Sequence, residues 1–312
     1  MSVSAERQHV RFSSGDTECA AWHYPGTNGA CVVMAGGFAV TKEPGTDLFA
    51  HRFNGAGYTV LAFDYRRLGE SGGEPRQVVR IKDEWADWQA AIAFARGLPG
   101  VDATRIVIWG FSLAGGHVFK VAARNPKLAA AIAQTPNANG PAAMRNAARF
   151  QHPVAMMRFT TRAILDGLGG LFGRPPLLVP LVGDPGTVAV LTTPDSVAGA
   201  RLALNPESKY SHWPPKVAAR SALRVGFYSP GRFASHVKCP LLVITCEDDQ
   251  SALGAPAVRA AERATCAELV RLPGGHYAPF LEMHEQAVDA ELSFLERHVF
   301  GSSPTEPPKH TR

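Results

Sequence analysis

A hydroxyl, a group of carboxylates and an imidazole, the groups that nucleophilic catalysis combines, stand at three turns of this 312-residue chain. The hydroxyl is Ser112 in RIVIWGFSLAGGH, Arg105 to His117, where a β-branched apolar run ends at Gly110 and small residues follow. A serine at a sharp turn from buried strand to buried helix projects at the carboxyl edge of a sheet. The helix N-terminus beside it offers unpaired N–H groups to a developing negative charge. Gly110 leaves room for such a turn, and Ala114, Gly115 and Gly116 let the helix pack closely. The plainer alternative for Ser112 is a helix N-cap.

A free hydroxyl is a poor nucleophile, so the catalytic reading requires a base and a group to orient it. After the apolar run PLLVITC comes Glu247-Asp248-Asp249, and after AELVRLP comes Gly274-Gly275-His276. Of the eleven histidines, His276 alone combines a glycine turn after a strand with a position downstream of the carboxylates. His117 falls in the helix after Ser112 and His284 in the final helix, so both read as packing or surface residues. Spacing alone does not separate Asp248 from Asp249 as the orienting acid.

The elements that must position these groups follow from hydrophobic patterning. ACVVMAGG, TVLAFD, RIVIWG, LAAAIAQT and PLLVITC are short continuous apolar runs, as in strands buried on both faces of a parallel sheet. HVRFSS and ECAAWHY add two early strands around an SGD turn. Between the runs lie helical patterns: Trp85, Trp88, Ile92 and Ala95 form one stripe, and Val288, Leu292, Leu295 and Val299 another. Alternation of this kind predicts an α/β, mostly parallel, doubly wound sheet.

From about Pro136 to Arg232 the alternation stops, and NAARFQHPVAMMRFTTRAILDGL reads as helical. The expected organisation is therefore a core of residues 1–136 and 233–300, a mostly helical cap of residues 137–232, and a disordered polar tail of residues 301–312. Phe150, Met156, Met157, Phe159 and Leu165 are the candidates for an apolar substrate pocket under the cap, with Phe38 of the core as a further substrate contact, although Met and aromatic stripes more often simply pack.

Composition narrows the partners. A net charge of +5 and a pI near 9.0 invite a nucleic-acid reading, but the Lys and Arg residues are scattered and no nucleic-acid-binding signature accompanies them. The five cysteines are odd in number and widely spaced, which fits neither a disulfide framework nor a zinc site. The longest apolar stretch, PPLLVPLVG, is too short and too broken for a membrane span. No secretory signal is visible at the N-terminus, so a cytoplasmic location is expected. The oligomeric state stays open, a homodimer among the options.

On these motifs the sequence resembles the α/β-hydrolase superfamily from His9 to Phe300. The resemblance implies an α/β-hydrolase fold with a helical cap inserted before the strand carrying the catalytic acid. It also implies a Ser112–Asp249–His276 triad needing no metal or cofactor. The family's G-x-x-D acid turn here reads Cys246-Glu-Asp-Asp249, and its G-x-S-x-G elbow reads G-F-S-L-A. The family's oxyanion hole would use the N–H groups of Leu113 and Phe38, with Gly36 where the family usually has His. DYRRLGESGGEPRQ, Asp64 to Gln77, resembles the family's D-Y-R-G-x-G-x-S loop with Arg67 in place of Gly, and is read as structural or cap-facing.

More finely, GFSLAGGHVFKVAARNP, GGHYAPF and VVMAGGFAVTKE are similar to a branch with bacterial carboxylesterases, monoalkyl phthalate hydrolases and fungal polyketide transferases. The implied chemistry is hydrolysis of a hydrophobic small-molecule ester through an acyl-enzyme. A thioesterase or acyltransferase acting on a polyketide-like chain is the second reading, and a non-catalytic hydrolase-like binding protein the third. A peptidase fits less well, since the expected cap offers few acids for a substrate amine: Asp166, Asp184, Asp195 and Glu207. A serine rather than an aspartate at position 112 argues against dehalogenases and epoxide hydrolases.

Overall fold

The computed structural model describes residues 7–301. The predicted tail, beyond Gly301, lies outside the described residues. The chain opens with a hairpin, β1 (Gln8–Ser14) and β2 (Thr17–Tyr24), followed by β3 (Cys31–Ala35), α1 (Lys42–Gly55), β4 (Thr59–Phe63) and α2 (Ile81–Ala95). β5 (Ile106–Phe111) then leads through Ser112 directly into α3 (Leu113–Arg124), and β6 (Ala130–Gln134) follows. Next come α4 (Gly140–Ala147), α5 (Pro153–Leu171), β7 (Leu178–Pro180), α6 (Pro194–Gly199), β8 (Lys216–Ala218) and α7 (Ala219–Gly226). The chain returns to the core with β9 (Leu241–Cys246), α8 (Gly254–Arg263), β10 (Ala267–Leu272) and α9 (His284–Val299).

Eight strands form one sheet in the order β1-β2-β4-β3-β5-β6-β9-β10. Only the hairpin and its junction with β4 are antiparallel; every other pair is parallel. The doubly wound sheet expected from the apolar runs is therefore present. Its strands β3, β4, β5, β6 and β9 are buried at every position, because helices cover both faces. Trp88, Ile92 and Ala95 of α2 and Val288 and Leu295 of α9 bury their predicted stripes against this sheet.

Residues 137–232 leave the core between β6 and β9 and add helices and a small antiparallel pair, β7 with β8. The stretch expected to be helical is helical, with a break that divides it in two. α4 ends at Ala147 and α5 begins at Pro153, preceded by His152 in an extended conformation. The reason lies in Pro153, which has no N–H to continue a helix, disfavours helical geometry at the residue before it, and suits a first turn.

Candidate active site

Gly110 closes β5, and a Cβ there would lie 2.5 Å from the Ala114 carbonyl, so only glycine lets the chain fold back into α3. Ser112 sits between them at φ 56°, ψ −113°, a left-handed conformation that is costly for a residue with a side chain. Its neighbours hold it there. The Ser112 N–H donates to the Gln134 carbonyl at 3.0 Å, and the Ser112 carbonyl accepts from the N–H groups of Gly116 and Asn137, both at 2.9 Å.

His276 Nε2 lies 3.0 Å from Ser112 Oγ, and its Nδ1 lies 2.7 Å from Asp249 Oδ2. With Nδ1–H donating to the carboxylate, Nε2 is free to accept the serine proton. Asp249 is fixed in turn, because its Oδ1 accepts the backbone N–H groups of Ser251 at 2.9 Å and Ala252 at 2.7 Å. Asp248 is exposed, and its backbone N–H pairs with the Gly274 carbonyl, tying the carboxylate turn to the histidine turn. The geometry thus separates two neighbours that spacing had left open. His276 is fully buried between the rings of Phe111 and Tyr277. Burial opposes its imidazolium, but the Asp249 and Asp195 carboxylates outweigh that and hold its pKa above the ordinary value.

The loop after β3 covers the serine from the other side. A Cβ on Gly37 would come within 3.1 Å of Ser112 Cβ, and one on Gly36 within 2.9 Å of the Val40 carbonyl. The second clash accounts for glycine where the family usually has histidine. Among the described residues, no backbone hydrogen bond engages the N–H of Phe38 or of Leu113. Two donors next to a bound carbonyl are what an oxyanion requires.

The Asp64–Gln77 loop, read as structural or cap-facing, makes contacts of both kinds: its Gln77 Nε2 donates to the Lys216 carbonyl of the inserted segment at 2.6 Å. Buried Asp64 accepts from the Lys42 N–H at 2.7 Å, Lys42 Nζ at 2.9 Å and the Glu70 N–H at 3.0 Å. Arg67 adopts φ 71° where the family has glycine, and Asp83 anchors its side chain at 2.6 Å.

Asp195, in the first turn of α6 and named above only among the acids of the expected cap, reaches the site. Its Oδ2 accepts from the backbone N–H of Gln250 at 2.9 Å and of His276 at 3.3 Å, and its Oδ1 from Ser251 Oγ at 2.9 Å. Burial pushes its pKa up, but the Gln250 N–H and the facing His276 reverse this and leave it below the usual carboxylate range. In the sequence, TTPDS signals only a helix start. The partners lie more than fifty positions away.

The five cap side chains expected to line a pocket form no such group, and Leu165 is 54% exposed. Phe159 is half-buried against the core and Phe150 half-buried, while Met156 and Met157 are 40% and 64% exposed. Met157 lines a surface cavity of about 500 Å³ with Arg158, Thr161, Arg162 and Val188, none of them a member of the Ser112 group. The buried face of α5 instead carries Ala155, Ala163 and Asp166. The inserted segment meets the site through Asp195 and through Trp213, whose Nε1 donates to the Ala39 carbonyl at 3.0 Å.

No group of three or more His, Cys, Asp or Glu side chains able to hold a metal occurs among the described residues. No helix among them is long and apolar enough to cross a membrane.

Comparison with known proteins adds to this geometry. Residues 32–290 match the model of a family described as the alpha/beta hydrolase family. The quorum-quenching protein AidA of Acinetobacter baumannii is 37% identical over 294 residues, covering 93% of this chain and 94% of that protein. The polyketide transferase ATR5 of Stachybotrys chlorohalonatus is 33% identical over 182 residues, 58% of each chain. The crystal structure of the alpha/beta hydrolase GrgF from a Penicillium species superimposes with a TM-score of 0.77 at 22% identity, covering 95% of this chain and all of that one.

Proposed function

The chain belongs to the alpha/beta hydrolase family, and from that premise we propose that it cleaves a carboxylic ester of a hydrophobic small molecule through an acyl-enzyme on Ser112. The observation that carries this reading is the continuous hydrogen-bonded line from Ser112 Oγ through His276 to Asp249. His276 Nε2 takes the hydroxyl proton as Ser112 Oγ bonds to the ester carbonyl carbon. The N–H groups of Phe38 and Leu113 stabilise the oxyanion. Collapse of the tetrahedral species expels the alcohol, which takes the proton from His276. Water, deprotonated by the same nitrogen, then attacks the acyl-enzyme and frees the acid and the serine. Asp249 holds the tautomer and stabilises the transient imidazolium. The inserted segment serves as the cap over this site.

A second reading, transfer or hydrolysis of a thioester-borne acyl chain, gains support from the similarity to a polyketide transferase. The two differ in leaving group and in what deacylates Ser112. The test is steady-state turnover of p-nitrophenyl esters of increasing acyl length and of matched thioesters. Ester hydrolysis rising with chain length is expected. A thioester preference of about tenfold or more, or turnover only with an added acceptor alcohol or amine, would favour the second reading. Absence of turnover on both series would contradict both and leave a binding protein.

A further inference from the structure

A cavity of about 660 Å³ lies where the core segment Glu74–Arg80 meets the C-terminal end of α5 and the start of α7. Its volume falls in the range that small-molecule sites occupy. Four arginines line it, Arg76, Arg80, Arg174 and Arg220, against a single carboxylate, Glu74. None of these residues belongs to the Ser112 group.

The arginines differ in how they are satisfied. Arg76 is tied to the carbonyls of Ser71 and Gly69. Arg220 is 7% exposed, and its Nη1 donates to the Asp166 carbonyl at 3.2 Å. Its Nε is buried without a hydrogen-bond partner, 3.6 Å from Asp166 Oδ2. Asp166 Oδ2 faces it as an ion-pair partner, while the two carboxylate oxygens also accept the backbone N–H groups of Leu177 and Arg220, each at 2.8 Å. Arg80 and Arg174 are exposed, and among the described residues neither guanidinium forms a hydrogen bond or ion pair with a protein group. Nearby Arg224 reports the same surplus of positive charge: burial, followed by the repulsion of Arg80 and Arg220, holds its pKa below the ordinary value.

Gathering like charges around a concavity costs energy unless an anion offsets it, and guanidinium forks match the oxygens of phosphate in paired hydrogen bonds. We propose that this cavity binds a multiply charged phosphate group, held by Arg80, Arg174 and Arg220, on a small molecule. Pro75, Pro175 and Leu178 add an apolar wall suited to a ring attached to that group. The ligand would touch both the core and the inserted segment, bridging the two. The inference is independent of the ester-cleavage reading, and its test involves no turnover.

Isothermal titration of the full chain with pyrophosphate, ADP and adenosine, at constant ionic strength, reads the site directly. One saturable site for at least one of the two diphosphates, with a Kd below about 1 mM, and none for adenosine, is expected. The Arg80→Gln/Arg174→Gln variant should weaken it at least about tenfold. Both side chains are exposed and lack protein partners, so the variant should keep its Tm without ligand. Tighter binding of ADP than of pyrophosphate would identify an organic phosphate as the natural occupant, and equal binding an inorganic one. No saturable heat with either diphosphate up to about 10 mM, or undiminished affinity in the double variant, would overturn the proposal.

Discussion

Ser112 is partly exposed, while His276 and Asp249, hydrogen-bonded in line behind it, are buried. An imidazole so enclosed depends on the charges that face it. Those are Asp249 from the turn after β9 and Asp195 from α6, with the rings of Phe111 and Tyr277 and the Ser112 hydroxyl as the remaining neighbours. Only neutral His276 can accept the serine proton, so kcat/KM should fall as the pH drops through a pKa above the ordinary histidine value. Asp195→Asn keeps an oxygen acceptor but removes a negative charge that favours the imidazolium. The expected result is a shift of this acid limb to lower pH, with kcat on the plateau reduced less than about tenfold. Asp249→Asn, which disturbs the tautomer, should cost on the order of 10⁴ in kcat. A pH–rate profile of both variants checks this, and an unmoved limb in Asp195→Asn would reduce Asp195 to a structural tether. Asp195 was hidden in the sequence because its contacts run to Gln250, Ser251 and His276, and no local pattern reports such distances.

Helix α9 packs against β6 and β9 and places Glu291 in the core, where its Oε1 accepts from Trp109 Nε1 at 2.8 Å and its Oε2 has no partner. Burial pushes its pKa up to about 8, partly offset by the Trp109 hydrogen bond. Unfolded, the group would titrate near 4.5. Between those two pH values the unfolded chain releases a proton that the folded chain retains, so stability falls as pH rises through the window. Glu291→Gln should abolish this slope and raise Tm at pH 8 by on the order of 2 °C or more. Thermal melts across pH 5–8 would show it, and parallel slopes in both proteins would contradict it. Elements themselves were largely legible, since fully buried strands read as unbroken apolar runs and the α2 and α9 stripes fell where they pack. The break between α4 and α5 was missed because apolar spacing on both sides masked the signal carried by Pro153.

Across the whole molecule, the inserted segment is pinned to the core at several separate points. Trp213 bonds the loop over Ser112, and Tyr210 donates to Asp47 Oδ2 at 3.0 Å. Tyr228 joins buried His117 at 2.9 Å, and His117 reaches Glu84 at 2.8 Å. A segment tied in this way should unfold with the core, so Trp fluorescence and far-ultraviolet circular dichroism should give coincident denaturation midpoints. Two separated transitions would mean that the segment opens independently. The turns that carry Ser112 and His276 were readable from sequence because turn chemistry is local. The choice between Asp248 and Asp249, and the outward direction of Met156 and Met157, depended on packing that only the folded chain reveals. The account as a whole rests on Ser112 forming an acyl-enzyme. Rapid mixing with a p-nitrophenyl ester should release p-nitrophenol in a burst equal to the enzyme concentration, and Ser112→Ala should lose both the burst and on the order of 10⁶ in kcat. A Ser112→Ala protein that kept more than about a tenth of the wild-type rate, a barrier change below roughly 1.4 kcal/mol, would contradict the account.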